Sequence, residues 1–166
     1  MNERVCKALM VGAVALYMAV VTYNNIADYG SNLAFVQHVL SMDTTFPGNR
    51  LMGRAITSPG VHHAFYASII AWEGLTAAAM AWGAHGLWRA RGLADGDFDA
   101  AVSRASVALV ANLLLWFVAF LTVGGEWFAM WQSPSWNGQT AAFRMFACVG
   151  IVLLYVRMPG RGAKAA

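Results

Sequence analysis

At 166 residues the chain has the length of one domain, yet 59% of it is apolar and only 11% charged, where a soluble domain carries roughly 45–50% and about 25%. That composition excludes an ordinary soluble fold and places the chain in a bilayer. The net charge of +3 does not point to nucleic acid, because the basic residues are few, flank apolar runs and lack the basic and aromatic interleaving of a nucleic-acid groove.

Arg4 and Lys7 precede an apolar run from Ala8 to about Tyr23. The pattern resembles a signal peptide, but Asn24 and Asn25 follow without a small-residue cleavage site, so it reads as a retained first span. Three further apolar stretches complete the set, giving spans at about 8–27, 61–88, 102–124 and 139–157, each long enough for the ~20 residues that cross a bilayer. Arg4, Lys7, Arg89, Arg91, Arg104, Arg157, Arg161 and Lys164 then fall on one side and Arg50, Arg54 and Arg144 on the other. By the positive-inside rule both termini are expected to be cytoplasmic.

Between the first two spans, 28–60 is too long and too apolar for a bare linker. Leu33, Val36 and Leu40 recur at helical spacing after Ser31, an expected N-cap, which predicts a short amphipathic helix capping the outer end of the bundle. Phe46-Pro47-Gly48-Asn49 predicts a turn, Leu51 to Ile56 a shorter helix, and Ser58-Pro59 the start of the second span. On the inner side, 89–101 reads as a polar loop, with Asp95, Asp97 and Asp99 too few for a calcium site. The tail, 159–166, reads as a disordered basic cytoplasmic end. The expected architecture is therefore all-α, a single four-span domain over 1–158 forming a membrane four-helix bundle with a short outer cap.

Charged groups at mid-span cost roughly 2.5–3.5 kcal/mol, so each requires a reason. Glu73 and Arg144 are the two such residues. His62, Tyr66, Ile69, Glu73, Thr76 and Met80 fall on one helical stripe of the second span, expected to face the bundle interior. Tyr17, Asn24 and Asp28 align on the first span, and Asn112, Trp116 and Glu126 on the third. Glu126 and Arg144 read either as a buried structural ion pair or as a site in which Arg144 holds an anionic head group oriented by Glu126. Trp127, Trp131 and Trp136 read as an interfacial aromatic belt or as the wall of a binding site.

No metal is required. Cys6 and Cys148 lie at different depths, with neither disulfide nor metal-ligand spacing, and read as small apolar filler. The third and fourth spans contain no His, so haem would need a Met ligand from Met130 or Met145, and copper would need His38, Met42, Met52 and Met130. His62 and His63 read more simply as hydrogen-bonded interface residues.

The stretches Asn24-Asn25 with Asp28-Tyr29, Phe35 through Thr44, Trp72-Glu73, and Gly124-Gly125-Glu126-Trp127-Phe128 through Arg144 resemble the bacterial family of predicted small integral membrane proteins known as domain of unknown function 2165. The resemblance implies a four-span inner-membrane protein and carries no activity with it. The residues point to a non-enzymatic protein that binds an amphipathic ligand of lipid or quinone type, or a larger membrane partner. Its expected outer site comprises Asn24, Asn25, Asp28, His62, Tyr66, Glu73, Glu126, Trp127, Trp131 and Arg144. The alternatives are a dimeric proton-coupled transporter using Glu73 and a redox subunit carrying haem or quinone. The bilayer is the expected environment, with a larger complex or homo-oligomer as the expected assembly.

Overall fold

The computed structural model of the protein describes residues 2–159. The expected basic tail therefore lies, apart from Pro159, outside the described residues. The fold is all-α, with no strand among the described residues and four helices long and apolar enough to cross a membrane. Helix α1 is Glu3–Ala27, α2 is Tyr29–Ser41, α3 is Pro59–Ala90, α4 is Asp95–Leu114 and α5 is Gln139–Arg157. Helix α4 continues without interruption into a π-helical segment, Leu115–Trp127, so that one 33-residue element forms the third long helix.

Local chemistry sets most of the boundaries. The Asn2 side chain accepts from the Arg4 amide at 3.0 Å and caps α1. Helix α1 breaks at Asp28, and α2 begins one residue later. Phe46 to Asn49 forms a turn closed by the Asn49 amide on the Phe46 carbonyl at 3.1 Å, with Pro47 second and Gly48 third at φ 78°. That is the type II arrangement, in which the third residue must take positive φ. A single 3₁₀ turn, Met52–Arg54, stands where a short helix over 51–56 is expected. The expected inner loop is shorter than 89–101, because α3 runs to Ala90 and α4 starts at Asp95. Asp95 and Asp97 occupy the first turn of α4, where carboxylates oppose the positive end of the helix dipole, so these acids start a helix instead of a loop.

The helices run antiparallel. At the end remote from α2, the Lys7 ammonium donates to the Met158 carbonyl at 2.5 Å and pairs with Glu3 at 3.2 Å, which ties α1 to the C-terminus of α5. Arg4 bridges to Asp95 and donates to the Leu93 carbonyl at 2.7 Å. Two apolar clusters fill the interior. One runs along the bundle through Val11, Met18, Met80, Leu87, Leu109 and Val149. The other gathers Val36, Leu40, Met42, Tyr66, Phe128 and Met130 under α2.

Lipid tails are as apolar as Leu, so the hydrophobic effect does not drive these helices together, and small residues at the contacts let backbones approach closely. Gly83 of α3 shows this most sharply. A Cβ there would lie 3.0 Å from the Ala105 Cα of α4 and 3.1 Å from its Cβ. We expect Gly83→Leu to lower stability by about 1–3 kcal/mol through overpacking against a backbone atom, as measured by SDS titration of the purified protein, while substitution at lipid-exposed Trp82 leaves the midpoint nearly unchanged.

Candidate functional site

Helix α3 turns His62, Tyr66, Glu73, Thr76 and Met80 inward on one stripe. The Glu73 side chain is the centre of the site, at 1% exposure. Its Oε2 accepts a hydrogen bond from Asn25 Nδ2 of α1 at 2.7 Å. Asn25 Oδ1 in turn accepts from Asn32 Nδ2 of α2 at 2.6 Å, and the Tyr66 hydroxyl donates to the Asn25 main-chain carbonyl at 3.2 Å. Three helices thus converge on one asparagine.

One turn further along α3, Thr76 Oγ1 donates within its own helix, reaching the Trp72 and Glu73 carbonyls at 2.9 and 3.0 Å. It accepts from Asn112 Nδ2 of α4 at 3.1 Å, and Asn112 Oδ1 accepts from the Trp116 indole at 3.2 Å. The Trp72 indole donates to the Ala111 carbonyl at 3.0 Å, a second tie between α3 and α4. In a bilayer an unmade hydrogen bond costs several kcal/mol, so this chain of partners is what allows polar side chains at this depth.

Above Glu73 the helices do not close. A cavity of about 190 Å³ lies between the two apolar clusters. Asn25, Asn32, Tyr66 and Glu73 form its polar end, and its other walls are apolar, supplied by α2, α3, the π-helical segment and the turn that follows it. Asn32 is itself exposed, so the cavity meets the surface there. The π-helical wall carries Trp116, Ala119, Phe120, Val123 and Gly124. Beyond it Phe128 and Met130 complete the wall on either side of Ala129, which is fully buried and holds left-handed backbone at φ 52°. Such a conformation costs a non-glycine residue about 1–2 kcal/mol and persists only where surrounding packing enforces it.

The remaining expected residues lie elsewhere. Asn24 and Asp28 are exposed, as is Tyr17, whereas Asn25 faces inward. The inward stripe of α1 is Val11, Ala15, Met18 and Asn25, one residue out of phase with the expected one. Asp28 stands at the helix break and accepts from the Ser31 hydroxyl at 2.7 Å, so Ser31 does not cap α2. His62 is buried but points away from the cavity, its Nε2 within 2.7 Å of the Ile56 carbonyl.

Glu126 and Arg144 do not pair. Both are exposed, and no ion pair joins them among the described residues. The reason is the π-helical segment. Backbone hydrogen bonding to the fifth residue back, as the Phe128 amide makes to Val123 at its end, puts more residues into each turn than an α-helix has. Glu126 therefore rotates away from the face that carries Asn112 and Trp116. Trp127 and Trp131 are also exposed. Trp127 lies under the Arg54 guanidinium at 4.4 Å, and Trp131 meets Phe46 edge-on. Of the suggested copper set, His38 is held by Asp43 at 2.8 Å and stacks on Trp136, while Met42 and Met130 are buried in the apolar cluster. Both cysteines are free thiols.

Asn32, Phe128 and Met130 were not expected in the site. Asn32 carries only a weak signal in the sequence, a polar side chain in a mostly apolar stretch, because the break at Asp28 separates its helix from that of Asn25. Phe128 and Met130 carry none, because their direction depends on the left-handed turn at Ala129.

A family model described as predicted small integral membrane protein, domain of unknown function 2165, matches residues 3–159. No curated protein and no solved structure matches the chain.

The hydrogen bond between α1 and α3 is open to a double-mutant cycle. Asn25→Leu and Glu73→Leu are expected to couple by about 0.5–2 kcal/mol in SDS titration, the range of interhelical hydrogen bonds in membranes. Asn24→Leu, one residue away on the lipid side, is expected to couple to Glu73→Leu by nothing measurable.

Proposed function

The chain belongs to this family of predicted small integral membrane proteins, and from that premise we propose that it is a non-enzymatic binding protein of the bacterial inner membrane that holds a small amphipathic molecule in the cavity above Glu73. The observation that carries the proposal is a carboxyl at 1% exposure, in no ion pair among the described residues, lining an apolar cavity of about 190 Å³. An ionisable residue inside a span is expensive and ordinarily marks a binding or transport path. Packing alone would be better served by an apolar side chain of the same volume.

The size of the cavity defines what enters it. An apolar cavity of about 150 Å³ takes up benzene, so this one accommodates a ring or the end of a chain together with a small polar head. A whole lipid does not fit, whereas the terminal part of a lipid- or quinone-type molecule does. Its head meets Glu73 and the two asparagines, and its body lies against the aromatic and aliphatic wall.

The distribution of basic residues supports an outward-facing cavity with cytoplasmic termini. Arg50 and Arg54 flank the cavity end, while Arg4, Lys7, Arg89, Arg91 and Arg157 mark the other. In this orientation α2 and the loops around it form the outer cap. A second reading, a dimeric proton-coupled transporter, uses the same carboxyl as its titrating group. It predicts substrate-driven proton release from reconstituted vesicles that disappears in Glu73→Gln.

Purification from native membranes in mild detergent, followed by solvent extraction and native mass spectrometry, tests the binding role. The wild-type chain is expected to retain a small amphiphile, and Ala119→Trp, which fills the cavity, to retain about tenfold less or none. Arg144→Met, remote from the cavity, is expected to retain the wild-type amount. A bound molecule indifferent to Ala119→Trp, or none in the wild type, contradicts the proposal.

A further inference from the structure

The polar end of the cavity is unbalanced in a way that selects a ligand class. Asn25 and Asn32 each commit one of their two amide N–H groups to a protein acceptor, and the Tyr66 hydroxyl commits its only one. The carboxylate has room for about four hydrogen bonds and is given one, from Asn25. The carboxyl thus keeps more acceptor capacity than the donors given to it fill.

It also lacks a positive charge. Arg54 is occupied by the face and carbonyl of Trp127. Arg4 and Lys7 are engaged at the opposite end of the bundle, and Arg144 is exposed. Six aromatic residues line the cavity that the carboxyl enters: Phe35, Phe65, Tyr66, Trp116, Phe120 and Phe128. Aromatic faces carry negative potential and attract cations, most strongly where water is excluded. They offer nothing to an anion, which the carboxylate would also repel.

We propose that the cavity binds a small organic cation, an ammonium group on a single ring or short aliphatic body, with Glu73 as its counter-ion and the aromatic wall as its cage. This rests on the reading of the cavity as a ligand site and narrows it. An ammonium supplies several donors to the carboxyl and the missing charge together, and a cavity of about 190 Å³ has the size for one ring and such a head.

Calorimetric titration of the full-length protein in a non-ionic detergent tests the proposal with two probes of nearly the same shape. One is benzylammonium, whose ammonium group both donates and carries the charge, and the other is ethylbenzene, in which a methyl group replaces it. Wild type is expected to bind the cation about tenfold or more tightly than its neutral analogue. Glu73→Gln, close to isosteric and checked for folding by its thermal transition, is expected to lose about tenfold or more of the cation affinity. The same variant is expected to change affinity for the neutral analogue by less than about threefold. Ala119→Trp is expected to abolish both.

If both probes bind wild type alike, or Glu73→Gln leaves the cation affinity unchanged, the charge-selective reading is overturned while the cavity stands as a binding site. If neither probe binds, or Ala119→Trp leaves both affinities intact, the cavity reading falls as well.

Discussion

One hydrogen bond orders the α2 end of this bundle. The Asn25 amide on the Glu73 carboxyl joins α1 to α3 at 2.7 Å, in surroundings where water does not compete for either group. Inside a bilayer a polar side chain that misses its partner costs several kcal/mol, so the rotation of α1 about its axis has one low-energy setting. The other contacts follow from that setting. Asn32 reaches Asn25 from α2, Tyr66 reaches its main chain from α3, and the apolar residues of α2 come to rest over the cavity. The carboxyl is held by one amide in place of a cation, and that amide is itself held by a second, from Asn32.

Much of the architecture was legible in the amino-acid sequence, because length and apolar run decide what crosses a bilayer. The Glu73 stripe could be read as well, since polar residues on a membrane helix avoid lipid and His62, Tyr66, Glu73 and Thr76 share one phase. The first span was harder. It carries Asn24 beside Asn25 and a conspicuous Tyr17, and polar or aromatic character suggested a stripe through Tyr17, Asn24 and Asp28. The buried stripe is marked instead by Ala8, Ala15 and Met18. In lipid small residues such as Ala8 and Ala15 favour helix contact, and Leu16 and Tyr23 face outward, while Met18 is a large side chain that packs inward beside them.

The third long helix hid more. Any phase argument that carries Asn112 through to Glu126 assumes 3.6 residues per turn, and the π-helical segment from Leu115 to Trp127 breaks that assumption. The result is an exchange of roles along the same stretch. Glu126, Trp127 and Trp131 face outward, while Trp116, Phe120, Gly124 and Met130 wall the cavity. The Glu126 and Arg144 residues that look like a site in the sequence are exposed and do not pair with each other in the structure. Wide helical turns gather at functional positions in proteins generally, and here one forms a whole wall. The left-handed residue Ala129 then turns the chain so that Phe128 and Met130 close the wall at its end.

The central claim is that the Glu73 carboxyl is held by Asn25 at the edge of a cavity, and infrared difference spectroscopy addresses that bond itself. The carboxyl band of Glu73, identified by its loss in Glu73→Gln, is predicted to shift when Asn25 is replaced by Leu and to stay in place when the neighbouring Asn24 is replaced. A band that moves with Asn24, or that is insensitive to Asn25, would contradict the account.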